Sequence, residues 1–237
     1  MTGSFVDIHT HILFDVDDGA ISLNQSLEII SAGIAEGVST FVCTPHFYTT
    51  SQFDVNKIAH HFKILKDKSD LLGVNLFCSS EMHFSYDILE MLRFKDFIFP
   101  EMTILLEYPF DSLPVNHFSV LEKILNNGYK IIIVHPERIE PFRKEPEILN
   151  EMKKIGCRFQ ITAGSIVGKF GYFIKRFSNY LIKNNLCDFI ASDVHNLKYR
   201  SFFMNEAYEY VSKKHDIGLA NKLFIENPQK LIWSIDV

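Results

Sequence analysis

Asp7-Ile8-His9-Thr10-His11 sets two imidazoles two residues apart at the end of an apolar run. Alternate side chains of an extended strand share a face, so the pair can hold one cation. An H-x-H pair alone is a weak signal, because paired histidines also occur as packed or surface residues. Other runs end in the same way. Thr44-Pro45-His46 closes a second, Glu81 a third, Glu107 a fourth, His135 a fifth, and Asp193 with His195 the last. Random placement of metal-binding side chains would not select the same end of six separate runs. In parallel α/β folds the C-terminal ends of the strands open on one mouth, where active sites are built. His9, His11, His46, Glu81, Glu107, His135, Asp193 and His195 are therefore expected to converge there.

Convergence carries a charge conflict. Glu81, Glu107, Asp193 and one aspartate of Asp15-Val16-Asp17-Asp18-Gly19, read as Asp18, would crowd several carboxylates together. Like charges that close oppose one another's ionisation, and bound divalent cations remove the opposition. Imidazole and carboxylate donors without thiolate suit Mn, Fe or Zn better than Ca.

The elements that must position these residues alternate short β-branched or aromatic runs with longer amphipathic stretches, the pattern of βα units around a parallel sheet. Seven strands are expected, at Phe5–Ile8, Thr40–Thr44, Leu76–Ser80, Thr103–Leu106, Ile131–Val134, Arg158–Thr162 and Phe189–Ser192. Ser22 with Gln25 reads as a capping box and Gly37 as the matching C-terminal stop. Asp54 is placed to cap Val55–Leu72, which stops at Gly73; Val115–Asn127 ends at Gly128 and Glu147–Ile155 at Gly156. Ser201–Lys214 and Leu219–Glu226 follow, with Asn227-Pro228 as a stop.

The 237 residues suffice for one barrel-sized domain, and 47% hydrophobic with 22% charged residues excludes a disordered or low-complexity chain. Lys and Arg number 24 against 29 acidic residues, so the net charge of −5 offers a nucleic acid little general attraction. Cys43, Cys78, Cys157 and Cys187 are irregularly spaced in or beside apolar runs and are expected as buried free thiols of a reducing compartment. The first basic residue is Lys57, too late for a signal-peptide n-region, and no run has the length of a membrane span. A soluble, cytoplasmic protein is expected.

His9-x-His11, Phe14-Asp15-Val16-Asp17-Asp18-Gly19, Thr44-Pro45-His46, Glu81, Glu107, His135-Pro136-Glu137-Arg138 and Ser192-Asp193-Val194-His195-Asn196 together resemble the PHP (polymerase and histidinol phosphatase) superfamily. More narrowly, they resemble its bacterial manganese-dependent protein-tyrosine phosphatases of capsular and extracellular polysaccharide operons. The resemblance runs from about Val6 to Asn227-Pro228. It implies a single-domain, TIM-barrel-like, distorted (β/α)7 barrel with three divalent metal ions, Mn in the first place and Fe or Zn as alternatives. Carried over by position, His9, His11, Glu81 and Asp193 would hold one metal, a bridging Glu81 with Glu107 and His135 a second, and Asp18, His46 and His195 a third. Arg138 and Arg200 would match the family's phosphate-gripping arginines. The implied substrate is a phosphotyrosine protein, a bacterial tyrosine kinase, in the control of polysaccharide synthesis. Phe47-Tyr48 after His46 departs from the family, where a more basic stretch would also fit.

The chemistry expected is attack of metal-held hydroxide on phosphorus, with Arg138 and Arg200 taking the non-bridging oxygens. None of the cysteines has the Cys, five-residue, Arg spacing of a thiol-based tyrosine phosphatase. A histidinol-phosphate type of phosphatase and a non-catalytic metal-containing binding module remain as alternatives; a nuclease is disfavoured by the charge. His83 is expected at the rim, and His60, His61, His117 and His215 in solvent. Phe170, Tyr172, Phe173 and Phe177 could be barrel packing or an oligomer or partner surface, with core the preferred reading, while some of Phe14, Phe47, Tyr48, Phe84 and Tyr108 could wall an aromatic pocket.

Overall fold

The computed structural model describes residues 4–233, and each expected run forms a strand. β1 (Phe5–Thr10), β2 (Val38–Cys43), β3 (His46–Phe47), β4 (Asn75–Cys78), β5 (Glu81–His83), β6 (Thr103–Glu107), β7 (Lys130–Val134), β8 (Arg158–Thr162) and β9 (Phe189–Ala191) pair only in parallel. These segments occupy seven positions. β2 and β3 are one line of chain interrupted at Thr44-Pro45, where proline has no N–H for the ladder. β4 and β5 are its neighbour, interrupted at Ser79-Ser80, and the pairing offset is unchanged across the break, Cys43 opposite Cys78 and His46 opposite Glu81.

The two ladders β1-β2-β4 and β3-β5-β6-β7-β8-β9 are thereby joined at one side. At the other, Asp193 N–H donates to the His9 carbonyl and His11 N–H to that of Val194, each at 2.9 Å, beside a parallel Thr10–Val194 bridge. The ring closes as a distorted seven-stranded α/β barrel.

Side-chain alternation divides the core into two layers. Val42, Leu105, Ile132, Val134, Phe189 and Ala191 pack within the ring together with Leu231 and Ile232. Their neighbours Phe41, Ile104, Leu106, Ile131, Ile133 and Ile190 pack outward in the larger cluster. Strands covered on both faces read as continuous apolar runs, which is why they were visible in the sequence. β1 adds a device of its own: its register with β2 slips between Asp7 and Thr10. A bulge re-aims side chains, and here the inward side changes from Val6 and Ile8 to His9 and His11.

Helices cover the ring. Ser22 Oγ accepts from Gln25 N–H at 3.3 Å ahead of the helix Leu23–Ala35, and Asp54 accepts from Lys57 N–H at 3.0 Å ahead of Val55–Leu71, as the capping residues implied. One helix was unforeseen and one expectation is corrected. The helix Tyr172–Lys183 carried no capping signal in the sequence; it starts after Gly171 with no side-chain cap. Asn227-Pro228 does not stop the last helix, because Lys222–Glu226 widens into a π turn and Asn227–Trp233 continues helical. A π turn absorbs the N–H that proline lacks. Among the described residues no helix is long and apolar enough to cross a membrane.

Candidate metal centre

Every residue expected at the mouth is there. His9 and His11 aim Nε2 atoms at each other across 3.2 Å, and Glu81 Oε2 lies 3.3 and 3.2 Å from them. Asp193 Oδ1 is 3.7 and 3.6 Å from the same nitrogens. His135 Nε2 sits 2.9 Å from Glu81 Oε1 and 3.6 Å from Glu107 Oε1. Asp18 Oδ1 is 3.2 Å from both His46 Nε2 and His195 Nε2. Ligand atoms close enough to share an ion fall into three groups, His9 with His11 and Asp193, His46 with Glu81 and Glu107, and His11 with Asp18, His46 and His195. The grouping differs from the positional expectation: His46, with Nδ1 2.9 Å from Glu81 Oε2, takes the place of His135 beside Glu81 and Glu107, His11 also joins the Asp18 group, and Glu81 falls outside the group of His9, His11 and Asp193.

The buried surroundings fix which imidazole nitrogens are free to bind. His9 Nδ1 lies 2.8 Å from Gln160 Oε1 and His11 Nδ1 2.7 Å from Asp17 Oδ2. Those oxygens only accept, so each Nδ1 carries the proton and each Nε2 presents a lone pair. With their Nε2 atoms 3.2 Å apart and a carboxylate beside them, the pair is held either by a shared proton or by a cation between them. Glu81 Oε2, His46 Nδ1 and His195 Nε2 are buried and, although other ligand atoms lie within 3.2 Å of them, none is in a well-angled hydrogen bond. The donor set therefore fits divalent metal, and it contains no thiolate, which suits Mn, Fe or Zn.

Electrostatics agrees. Burial would depress His9 and His46, yet the carboxylates override it: Glu81 and Asp193 hold His9 up, and Asp18 and Glu81 lift His46 to about 11. His11 is raised to about 9, against its burial, by Asp17 and Glu81. Glu81 stays well below the ordinary carboxylate range despite burial, through His9 and His11, and Asp193 does so through Arg200, His9 and Arg138. The mouth is a field that favours positive charge.

Arg138 and Arg200 flank it. Arg138 Nη1 donates to Asp193 Oδ2 at 2.6 Å, and Arg200 Nη2 donates to both oxygens of Asp193 at 2.9 Å. Phe110 and Phe170 stack on the Arg138 guanidinium at 4.8 and 5.0 Å. Backbone conformation is unusual here too: His135 has φ 36° and Asp193 φ 54°. Non-glycine residues hold left-handed φ only where surroundings over-determine it, and such strain clusters at functional sites.

Several supporting residues were missed in the sequence. Asp17 orients His11 and also accepts from the N–H groups of Gly19 and His46. Gln160 orients His9, Asp7 accepts from Ser192 N–H at 3.0 Å, and buried Glu137 accepts from Thr162 N–H and Ser165 Oγ. Only Asp17 had a signal, the acidic loop, which points to two adjacent aspartates without ranking them. His83 takes the rim position, 3.2 Å from Glu107 Oε2.

Other expectations are corrected. Tyr172 and Phe173 are 71% and 75% exposed, not core, while Phe177 is buried. His61, His117 and His215 are half-buried rather than solvated, the first two hydrogen-bonded to the Phe14 carbonyl and the Tyr108 hydroxyl. Phe47, Phe84 and Tyr108 belong to the core, and Phe14 stacks on His61. Tyr48 stands 5.1 Å from the His46 ring and the unforeseen Phe110 5.5 Å from that of His135. All four cysteines are free; Cys43 and Cys157 are buried, Cys78 and Cys187 partly so. Burial pushes Cys78 and Cys157 up to about 12, so neither is an activated thiol.

Residues 5–233 match the family model of capsular polysaccharide synthesis proteins CpsB/CapC. The tyrosine-protein phosphatase YwqE of Bacillus subtilis is 32% identical over 233 residues, covering 96% of this chain and 91% of its own. The tyrosine-protein phosphatase CpsB of Streptococcus agalactiae is 31% identical over 238 residues, covering 96% and 98%. A crystal structure from the study of YwqE and Streptococcus pneumoniae CpsB, described as metal-dependent tyrosine phosphatases, superposes with a TM-score of 0.90 at 29% identity over 98% of this chain and 96% of that one. The phosphotriesterase homology protein of Escherichia coli, at 12% identity and a TM-score of 0.59, shares the barrel fold. With its barrel, its ligand-bearing strand ends and its near full-length match, the chain belongs to the CpsB/CapC family.

Proposed function

We propose that the protein is a metal-dependent protein-tyrosine phosphatase, a phosphoric monoester hydrolase acting in capsular or extracellular polysaccharide synthesis. The observation that carries the reading is the meeting of eight imidazole and carboxylate donors close enough to share ions, with His135 2.9 Å from Glu81, and two guanidinium groups at one barrel mouth. The tyrosine phosphatase relatives, matched over nearly their whole length, support it. His9, His11, Glu81 and Asp193 would hold one cation, Glu81, Glu107 and His135 a second, and Asp18, His46 and His195 a third. Manganese is the metal we assign, with Fe or Zn compatible with the same donors. The substrate is a phosphotyrosine protein, a bacterial tyrosine kinase of the cytoplasm, and the 237 residues act as one domain.

Divalent metal bound there supplies Lewis-acid polarisation of phosphoryl oxygens and water of lowered pKa. The chain's own residues do the rest. Arg138 and Arg200 grip the non-bridging oxygens, where planar donor pairs match the phosphoryl group and oppose its growing charge. Phe110 and Phe170 hold Arg138 flat. Gln160 and Asp17 hold His9 and His11 in the tautomer that leaves Nε2 free. Tyr48 and Phe110 wall the mouth against the tyrosyl ring.

The test compares a phosphotyrosyl peptide, a phosphoseryl peptide and histidinol phosphate in metal-stripped enzyme titrated with Mn²⁺, alongside His135→Ala. Metal-restored preference for phosphotyrosine that His135→Ala abolishes is the expected result. Preference for histidinol phosphate would overturn the substrate, and absence of any turnover would overturn the enzyme.

A further inference from the structure

Between the helices Glu140–Lys144 and Tyr172–Lys183 lies a groove of 540 Å³. It is aromatic along one side: Phe177 is buried with its ring stacked 5.5 Å from Tyr180, and Phe173 stands exposed at the other end. Arg143, Lys144 and Arg176 make it basic. Glu140 also lines it, but Lys144 pairs with that carboxylate at 2.7 Å. A local positive excess in a chain of net charge −5 is a recognition feature rather than a reflection of composition.

One wall of the groove is tied by hydrogen bonds to the chain that bears the mouth residues. Glu140 N–H donates to the Phe110 carbonyl at 2.7 Å, and Arg143 Nη1 donates to the Glu137 carbonyl at 3.0 Å. The Phe110 ring lies on Arg138 and 5.5 Å from His135. One wall of the groove therefore starts two residues beyond the arginine that grips phosphate. A polypeptide whose phosphotyrosine reaches Arg138 has its neighbouring residues beside the basic and aromatic side chains.

We propose that this groove docks an acidic segment flanking the phosphotyrosine of the protein substrate, an inference that rests on the tyrosine phosphatase reading and assigns its substrate class. Aspartate or glutamate side chains of the segment pair with Arg143 and Arg176, and with Lys144 in exchange for Glu140, and an apolar or aromatic residue packs on Phe173 and Phe177. Exposed charge pairs contribute little singly, so the preference comes from several acting together with apolar contact.

Fluorescence anisotropy with labelled, unphosphorylated tyrosyl peptides tests the groove without turnover. Two peptides are compared, identical but for acidic or lysine flanks on both sides of the tyrosine, against the wild-type protein, K144E/R176E and Phe173→Ala. Tighter binding of the acidic peptide by about tenfold, reversed in K144E/R176E and weakened in Phe173→Ala, is expected. Equal binding of the two peptides, binding of neither, or a preference that survives the charge reversal would overturn the proposal. Hydrolysis of the phosphorylated peptides is measured in parallel. Its absence in every protein would count against the phosphatase reading alone, because the binding measurement stands apart from it.

Discussion

Arg200 has two partners of opposite consequence. Its guanidinium holds both oxygens of Asp193 at 2.9 Å and lies 3.6 Å from Asp18, so it could serve only to balance carboxylates. The rate at full metal occupancy separates that role from a grip on phosphate. Removing a cation from a carboxylate-rich mouth does not weaken its hold on Mn²⁺, whereas losing one preorganised donor to a developing oxyanion costs roughly 10²–10³-fold in rate. Arg200→Ala is thus expected to keep full metal by elemental analysis while kcat for a phosphotyrosyl peptide falls by that factor. Asp17 acts one step further out. Asp17→Asn keeps a side-chain oxygen near His11 Nδ1 but loses the charge that makes the imidazole a stronger ligand, and outer partners of this kind are worth roughly 10–100-fold in metal affinity. The Mn²⁺ concentration for half-maximal activity should rise by about that factor, with most of kcat recovered at saturation.

Elements position these residues through contacts that single side chains decide. Glu137 ties the turn bearing His135 and Arg138 to the end of β8, accepting from Thr162 N–H at 3.0 Å and Ser165 Oγ at 2.6 Å while fully buried. Glu137→Ala leaves both donors unsatisfied, at about 1–3 kcal/mol each. A matching loss in urea unfolding, with a fall in kcat beyond that of a surface control, is the expected outcome. Gly33 fixes how the helix Leu23–Ala35 lies on the barrel. A Cβ there would come within 2.6 Å of Phe41 and 2.7 Å of Phe202, two fully buried rings. Alanine gains up to about 1 kcal/mol of helix propensity, but overpacking costs about 1–3 kcal/mol. Gly33→Ala should therefore destabilise, read as a lowered urea midpoint at unchanged slope. The strands were legible because burial on both faces writes continuous apolar runs, and the ligands because each ends such a run. Asp7, Glu137 and Gln160 were not, since a buried polar residue inside an apolar strand or turn has no period to mark it. The helix Tyr172–Lys183 was hidden because its exposed Tyr172 and Phe173 imitate core residues.

For the molecule as a whole, the mouth couples the site to the closure of the barrel. Asp17, Asp18, Glu81, Glu107 and Asp193 meet there against the guanidinium groups of Arg138 and Arg200. The barrel closes through the same place, since the hydrogen bonds joining β9 to β1 are made by Asp193, Val194, His9 and His11. Cations that bind the folded state alone stabilise it by RT ln(1 + [L]/Kd), about 2.7 kcal/mol per site at a hundredfold excess over Kd. For a chain of this size that corresponds to a rise of roughly 5–10 °C per site. Chelation should therefore lower Tm together with activity, and Mn²⁺ should restore both along one titration curve. Iodoacetamide should change neither in the native protein, because the Cys78 and Cys157 thiols are pushed up to about 12 and those of Cys43 and Cys187 well above their ordinary range. Differential scanning calorimetry beside a phosphotyrosyl peptide assay reads both quantities. Activity lost to chelation with Tm unmoved would separate the metals from barrel closure, and activity lost to iodoacetamide would return the chemistry to a cysteine.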